Sequence, residues 1–203
     1  MNRLAPVLLA LLTLAASPAL AQWTEIRNED GIRVQKQEDT SRVLPVLRAT
    51  TTIHASPDQV LGWIRDVDTH TRWMANCEEA RLLKRESDTV SYAYSRIGAP
   101  WPVSDRDSVV RSTLESKDGG HHVVFVDTDE LGTPERSGVV RMARVRGEWD
   151  LRPNAAGGTD VTYTIDSDPG GSLPGWLVAQ VANDVPFQTL GNLRRLSESG
   201  EKH

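Results

Sequence analysis

The chain of 203 residues carries 23 basic and 28 acidic side chains, which gives a net charge of −5 at pH 7. This acidic balance argues against a nucleic-acid partner and against tight adhesion to an anionic membrane surface. Cys77 is the only cysteine, so no internal disulfide can form and the fold must rest on core burial. No internal repeat or long linker divides the chain after its first 21 residues, which predicts one domain.

Residues 1–21 have the composition of an export signal. Arg3 gives a positive start, residues 4–16 are almost wholly apolar, and residues 17–21 supply the small side chains that a signal peptidase accepts. A membrane anchor is the alternative, but prolines interrupt this segment, and a span needs roughly 18 apolar residues. We expect cleavage after Ala21, a domain over 22–203, and a periplasmic or secreted location.

The first elements of the mature chain are two predicted strands and two predicted helices. Strands are expected at 32–36 and 43–54, because apolar and polar residues alternate along the second of them. Ser56-Pro57-Asp58-Gln59 has the pattern of a capping box with proline in the first helical position, so a helix begins there. A second short helix is predicted around 71–76.

Beyond these helices the hydrophobic period changes to two, and turn residues such as Gly98-Ala99-Pro100 separate the apolar runs. The runs predict six further strands, at 80–85, 89–97, 103–114, 121–127, 138–151 and 159–166. Consecutive strands at these spacings indicate an antiparallel sheet. A long final helix is predicted over 173–197, where apolar residues recur at helical spacing. Together they predict an α+β fold in which the sheet and the last helix enclose a space.

Several short segments resemble the START family of lipid-binding domains. In chain order, they are Asp30-Gly31-Ile32-Arg33-Val34, 55–60, 102–107, Gly147-Glu148-Trp149 and 168–174. The resemblance implies a helix-grip fold, in which a curved antiparallel sheet wraps a long C-terminal helix and two short helices follow the second strand. It also implies a hydrophobic tunnel that binds or transfers a lipid without catalysis. The mature chain is most similar to exported bacterial members that consist of this domain alone.

Two cavity positions depart from the sterol-carrying members of that family. Those members have an acidic and a basic side chain that meet inside the cavity. In this sequence the acidic position falls near Ala93, and the second cavity arginine of those members falls near Ser112. The resemblance therefore does not imply specificity for a sterol.

Two arginines, Arg106 and Arg141, lie on otherwise small or apolar faces of predicted strands. The planar guanidinium of Arg106 is suited to bind a ligand head group, and the alternative is a structural ion pair with Asp105, Asp107 or another acid. A charge on an apolar face needs a partner or water. Arg141 therefore either lines the tunnel or has such a partner.

The predicted ligand-binding residues are aromatic, aliphatic and arginine side chains near the expected tunnel. They are Tyr92, Tyr94, Trp101, Arg106, Val110, Arg141, Trp149, Tyr163, Trp176, Leu177, Val181 and Val185. Indole and phenol rings offer apolar surface with one polar group, which suits contact with lipid. The strand that carries Tyr92 and Tyr94 also permits the reverse orientation, with its small residues inside: Ser91, Ala93 and Ser95.

Motifs for catalysis are weak. The histidines show no paired metal spacing and Cys77 has no obvious partner, so we predict no metal site and no cofactor. We expect a monomeric, non-catalytic binder of a phospholipid, fatty acid or polyketide-like molecule, with transient membrane contact. The loop 129–137 is either its gate or an ordinary surface loop. Two alternatives stay open: a cyclase or dehydratase-like enzyme using His70, Asp107 or Tyr94, and a partner-binding envelope protein with a vestigial cavity.

Overall fold

A computed structural model describes residues 22–39 and 41–201, so the predicted export signal lies outside the described residues. Within them, the structure has ten strands, two α-helices and one 3-10 helix at Val67–Arg72. The helices are α1 (Pro57–Arg65) and α2 (Gly175–Glu198). The strands are β1 (Thr24–Glu29), β2 (Ile32–Gln37), β3 (Val46–Ile53), β4 (Cys77–Arg85), β5 (Val90–Ile97), β6 (Asp105–Lys117), β7 (Gly120–Asp127), β8 (Val139–Arg141), β9 (Arg144–Pro153) and β10 (Thr159–Asp168).

All ten strands form one sheet, in the order β1-β2-β3-β10-β9-β7-β6-β5-β4 with the short β8 beside β6. Neighbouring strands along this order are antiparallel, and only the pair β6 and β8 is parallel among the described strands. The last strand, β10, pairs with the early strand β3, so the sheet joins distant parts of the chain. The predicted α+β fold, with a curved sheet and a long C-terminal helix, is confirmed.

Three details of the prediction are wrong. Strand β1 was not predicted, because Ile26 is its only apolar residue; the short helices therefore follow the third strand and not the second. The second of these helices lies at 67–72 instead of 71–76. The strand predicted at 138–151 is two strands, since the first part pairs with β6 and the second with β7 and β10.

The hairpin between β1 and β2 is made by Asp30 and Gly31, which have φ angles of 49° and 69°. Positive φ at both central residues is the conformation of a two-residue hairpin turn, and Asp-Gly is among the sequences that favour it. Position 31 is suited to glycine, because a side chain is strained at this φ. This turn explains why a polar edge strand such as β1 can still pair with β2, although the register shifts by one residue between Glu25 and Arg27.

Helix α1 begins as its sequence predicts. The Ser56 hydroxyl accepts a hydrogen bond from the Gln59 backbone N–H at 3.3 Å, and the Gln59 side-chain oxygen accepts one from the Ser56 N–H at 2.9 Å. This capping box satisfies two backbone donors of the first turn. The helix then buries Val60, Trp63 and Ile64 against the core.

The long helix α2 crosses the concave face of the sheet in two different ways. Its C-terminal half packs on β2 and β3 through Leu190, Leu193 and Leu196, which are at most 2% exposed. Its N-terminal half, before Pro186, stands above a space between helix and sheet. No helix in the described part of the chain is long and apolar enough to cross a membrane.

Candidate functional site

A cavity of about 700 Å³, partly open to solvent, lies between the N-terminal half of α2 and the sheet. Leu177, Val181 and Val185 of α2 line one side of it, and Trp149 of β9 and Tyr163 of β10 line the opposite side. The residues around the 3-10 helix and strands β5 and β6 complete its wall. This volume falls in the range of about 300–1,000 Å³ that small-molecule sites occupy.

One part of the cavity wall is a cluster of aromatic rings. Trp149 stacks on Tyr163 with 4.0 Å between ring centroids, and Trp73 meets Trp149 edge-on at 5.8 Å. Phe125 lies 6.5 Å from Tyr163. Burial raises the pKa of the Tyr163 phenol, so this hydroxyl stays neutral. The cluster offers a rigid, uncharged surface that suits a hydrocarbon chain.

Strands β5 and β6 form a second wall, whose inner face carries several small residues beside Ile97, Arg106, Val110 and Leu114. The strand register pairs Ser95 with Ser108 and Ser91 with Ser112, and all four line the cavity. The hydroxyl oxygens of Ser95 and Ser108 lie 3.2 Å apart. Because these side chains are short, the wall leaves open the volume that larger side chains would fill. The cavity is therefore wide beside this wall, and the wall carries hydroxyl groups.

Arg106 lies on the same inner face of β6. Of the described charged residues that line the cavity, it is the most deeply buried. It is 8% exposed, and burial lowers the pKa of its guanidinium from the ordinary value. One nitrogen, Nη1, donates to the carbonyl of Ser104. Its Nε has no hydrogen-bond partner anywhere in the described structure. A buried guanidinium with free donors is costly unless another group accepts from it.

The acidic neighbours of Arg106 are bound by other arginines on the outer face of the sheet. Asp105 accepts hydrogen bonds from Arg96 and from the Ala99 N–H, the latter at 3.1 Å. Asp107 is 1% exposed in its side chain and lies 2.7 Å from the Arg141 Nε. In the part of the chain that the structure describes, no carboxylate lies within 4 Å of the Arg106 guanidinium. The ion-pair alternative predicted for Arg106 is therefore not found.

The loop 129–137, considered as a gate, lies on the outer face of the sheet. Tyr92 donates to Glu130 at 2.8 Å, and Arg136 of the loop binds Glu79 and lies 3.4 Å from the Tyr94 hydroxyl. Arg141, after the loop, donates to its backbone carbonyls. No residue of this loop lines the cavity. The segment 98–100, between β5 and β6, borders the cavity instead.

Nine of the twelve predicted ligand-binding residues line the cavity: Tyr94, Arg106, Val110, Trp149, Tyr163, Trp176, Leu177, Val181 and Val185. Three do not, which corrects their predicted position. Tyr92 points to the outer face because side chains alternate along β5, and Arg141 is held there by Asp107. Trp101 is 91% exposed in the loop after Pro100. Tyr94 borders the cavity, but its ring lies beside Arg81 on the outer side.

The inner residues of β5 are site residues that were not among the predicted ones. Ser91, Ala93 and Ser95 line the cavity, as the alternative orientation of this strand predicted. Phe125 of β7 was also missed. The signal in the sequence was that one face of β5 carries only short, uncharged side chains. Such a face is suited to line a cavity, and the opposite face, with its two tyrosines, is suited to pack in a core.

Of the three groups considered for catalysis, His70 and Tyr94 border the cavity and Asp107 does not. The Nε2 atom of His70 lies 2.9 Å from the Ile64 carbonyl and must donate to it, and burial lowers the pKa of the ring, which favours neutral imidazole. Burial also raises the pKa of Tyr94 and raises that of the cavity residue Cys77 to about 11. Both groups are therefore protonated at neutral pH and are poor nucleophiles.

The family comparisons agree with this architecture. The sequence model of the START domain matches residues 8–202, and the chain belongs to the START domain family. An uncharacterized protein of Pseudomonas aeruginosa is 35% identical over 193 residues, or 95% of each chain. The crystal structure of a STAR-related lipid transfer protein from Xanthomonas axonopodis is 36% identical, with a TM-score of 0.78, and the match covers 86% of this chain and 98% of that one.

A eukaryotic relative is a lipid transfer protein. Phosphatidylcholine transfer protein of Mus musculus is 27% identical over 177 residues, which are 83% of this chain and 82% of that protein. At the level of the family, these relatives support lipid binding and transfer.

Proposed function

We propose that this protein binds a lipid or similar hydrophobic molecule in its internal cavity and carries it, without chemical conversion of the ligand. The observation that carries the proposal is the cavity of about 700 Å³ under the first half of α2. Aliphatic residues of the helix and the rings of Trp73, Trp149 and Tyr163 surround it. A buried apolar surface of this kind is stabilised when hydrocarbon replaces water. Membership of the START family supports the same conclusion.

Native mass spectrometry of the protein purified from its own cell envelope tests this proposal. We expect a complex with one lipid per chain, which organic extraction then releases for identification. A protein that purifies empty and binds no member of a lipid panel would overturn the proposal.

A pair of valine substitutions tests whether the lipid occupies this cavity. Val110 lies on the cavity face of β6, whereas Val126 of β7 is 43% exposed on the outer face. Val110→Trp places a large ring in the cavity and is expected to lower the amount of bound lipid about tenfold or more. Val126→Trp is the matched control, and it should bind as the wild type does. Equal binding by the two variants would place the ligand elsewhere.

Transient membrane contact is part of the proposal, because two tryptophans are exposed near the cavity. Trp176 at the start of α2 lines the cavity and is 55% exposed, and Trp101 follows the cavity residue Pro100. Indole rings favour the interface between water and lipid. Trp101→Ser should slow lipid transfer between vesicles while leaving the amount bound at equilibrium unchanged. An unchanged transfer rate would remove Trp101 from the membrane-contact surface.

We also propose that the protein acts in the periplasm or outside the cell, after removal of residues 1–21. The composition of this segment supports export. N-terminal sequencing of the protein from a fractionated native cell should begin at Gln22. Recovery of the full-length chain from the cytoplasm would contradict the proposed location.

A further inference from the structure

We infer that the carried ligand is a lipid with one acyl chain, and that the cavity excludes lipids with two full-length chains. This inference rests on the proposed lipid-binding function and adds the number of chains to it. Three features of the cavity support it: its volume, its length along β6 and the close packing of its walls.

The volume of the cavity limits the amount of hydrocarbon that it can hold. A protein cavity of about 150 Å³ binds one benzene molecule, which gives about 25 Å³ for each carbon. By this measure a palmitoyl chain needs about 400 Å³, and two such chains need about 800 Å³. The cavity has about 700 Å³, and because it is partly open, some of this volume lies at its mouth. One chain fits, whereas two full-length chains do not.

The cavity is also long in comparison with its volume. On β6 it is lined from Arg106 to Leu114, a distance of about 26 Å at about 3.3 Å per residue. Division of the volume by this length gives a mean cross-section of about 27 Å². A palmitoyl chain of about 400 Å³ spans half of a bilayer core of about 30 Å, so its own cross-section is also about 27 Å². The mean width of the cavity is therefore that of one chain.

The aromatic wall opposes any widening of this space. Trp149 and Tyr163 are buried and stack on each other, and the buried ring of Trp73 supports Trp149 from the side. The Phe125 ring lies so close to Gly147 that a Cβ atom there would be 2.6 Å from it. Protein interiors packed in this way have few voids, so a second chain would have to displace several rings at once.

The helix side of the cavity is held in place as well. Asp184, which borders the cavity on α2, accepts a hydrogen bond from Arg27 of β1 at 3.2 Å. The same guanidinium lies 3.5 Å from the centre of the Phe187 ring of α2. These contacts join the middle of α2 to the edge of the sheet. Outward movement of the helix, which would widen the cavity, therefore breaks a hydrogen bond and a cation–π contact.

Lipid pairs that share a head group and carry one or two palmitoyl chains test the inference. The pairs are palmitoyl-lysophosphatidylcholine against dipalmitoylphosphatidylcholine, and monopalmitoylglycerol against dipalmitoylglycerol. The mature protein is incubated with vesicles that carry both members of a pair in equal amounts, and the bound lipids are extracted and quantified. We expect the one-chain member to exceed the two-chain member about tenfold or more, because each methylene left in water forfeits about a fourfold gain in affinity.

Phe125→Ala should weaken this preference by about threefold or more. Removal of the ring adds a space of about the size of benzene, which raises the volume to about 850 Å³, above the need of two chains. The control is Leu196→Ala, which truncates a buried side chain in the C-terminal half of α2, outside the cavity. This control should keep the wild-type preference. An unchanged preference in a folded Phe125→Ala protein would contradict exclusion by lack of space.

The wild type alone decides the case in which Phe125→Ala does not fold. Binding of a two-chain member as strongly as its one-chain partner, in either pair, would overturn the inference and leave lipid binding intact. The lipid extracted from the natively purified protein should likewise contain one acyl chain, and a two-chain lipid there would overturn the inference too. A protein that purifies empty and binds none of the four lipids would overturn the proposed function itself.

Discussion

The two halves of α2 lie over the same sheet but make opposite kinds of contact. After Pro186, Leu190, Leu193 and Leu196 are buried against β2 and β3 and form a solid core. Before Pro186, Leu177, Val181 and Val185 face the cavity, and much of this half is exposed. One helix therefore serves as a structural element at its C-terminal end and as a cover at its N-terminal end.

The sheet explains the difference between the halves. Under the C-terminal half, β2 and β3 present branched aliphatic side chains, including Ile32, Val34 and Ile53. Under the N-terminal half lies the cavity, bounded on the sheet side by Trp149 and Tyr163 and by the faces of β5 and β6, which include short side chains such as Ala93 and Ser95. We call the half of α2 after Pro186, with the sheet beneath it, the solid half, and the half before Pro186, with the cavity, the hollow half. Stability should therefore depend on the solid half, whereas ligand capacity should depend on the hollow half.

The largest expected effect on stability is that of Leu193→Ala in the solid half. Leu193 is 0% exposed, and removing its side chain leaves a void among packed neighbours. We expect the free energy of unfolding to fall by about 2–5 kcal/mol, measured by urea denaturation. A loss below about 1 kcal/mol would mean that this half of α2 is not solidly packed.

Gly147→Ala should have the next largest effect, at the border of the hollow half. A methyl group on Gly147 would lie 2.6 Å from the Phe125 ring and closer still to the Thr164 carbonyl of the paired strand. The backbone contact cannot give way easily, so we expect a loss of about 1–3 kcal/mol. The displaced Phe125 ring, which lines the cavity, should also reduce lipid binding. Gly157→Ala is no equivalent control, because its φ of 82° is itself strained for alanine.

Gly175→Ala supplies a cleaner control for that substitution. Gly175 is exposed at the first turn of α2, and an added methyl group meets no atom within 4 Å. It should be neutral or slightly stabilising, since alanine favours a helix more than glycine does. If Gly147→Ala costs no more free energy of unfolding than Gly175→Ala does, movement of the strand relieves the crowding at Gly147.

The elements that the sequence predicted well are those with a complete local signal. The capping box at Ser56 and Gln59 marks the start of α1, and the spacing of Leu190, Leu193 and Leu196 marks the buried face of α2. Both depend on residues close in the chain. Strand β1 has no comparable signal, because its stability comes from the hairpin at Asp30-Gly31 and from pairing with β2.

The composition of the cavity was harder to predict, because it depends on which face of each strand turns inward. In β5 one face carries Tyr92 and Tyr94, and the other carries Ser91, Ala93 and Ser95. Hydrophobicity favours the tyrosines inside, yet the register with β6 places the small residues there. Arg141 shows the same dependence, since its pairing with Asp107 follows from β8 lying parallel to β6.

Leu177→Ala repeats the leucine truncation in the hollow half, and its effect should be smaller. Leu177 is 6% exposed, but one side of it faces the cavity, so fewer packed atoms lose contact. We expect a loss of about 1–2 kcal/mol in the ligand-free protein, below that of Leu193→Ala. The substitution should lower lipid affinity, which Leu193→Ala should not do directly. Equal losses of stability in both variants would contradict the division of α2 into two halves.

The smallest expected effect is a pH dependence of stability from His70, next to the hollow half. Burial lowers the pKa of this ring, and its effect exceeds the opposing influence of the Ile64 carbonyl and of Asp66 and Asp68. The unfolded chain, with a histidine pKa of about 6.5, therefore binds a proton more readily than the folded protein does. The contribution of neutral His70 to stability is complete above this pH and declines as the pH falls below it.

His70→Gln tests this pH dependence, because an amide can still donate to the Ile64 carbonyl but does not titrate. The free energy of unfolding of the wild type, measured by urea denaturation between pH 7.5 and 5.5 (a range chosen to span about 6.5), should fall more steeply than that of the variant. His54→Gln, at an exposed position, is the control and should keep the wild-type slope. If His70→Gln also keeps the wild-type slope, we infer that water reaches His70 through the cavity. That water would remove the desolvation that lowers the pKa of His70. The hollow half would then be open to solvent in the ligand-free protein, and lipid binding should restore the difference in slope by excluding that water.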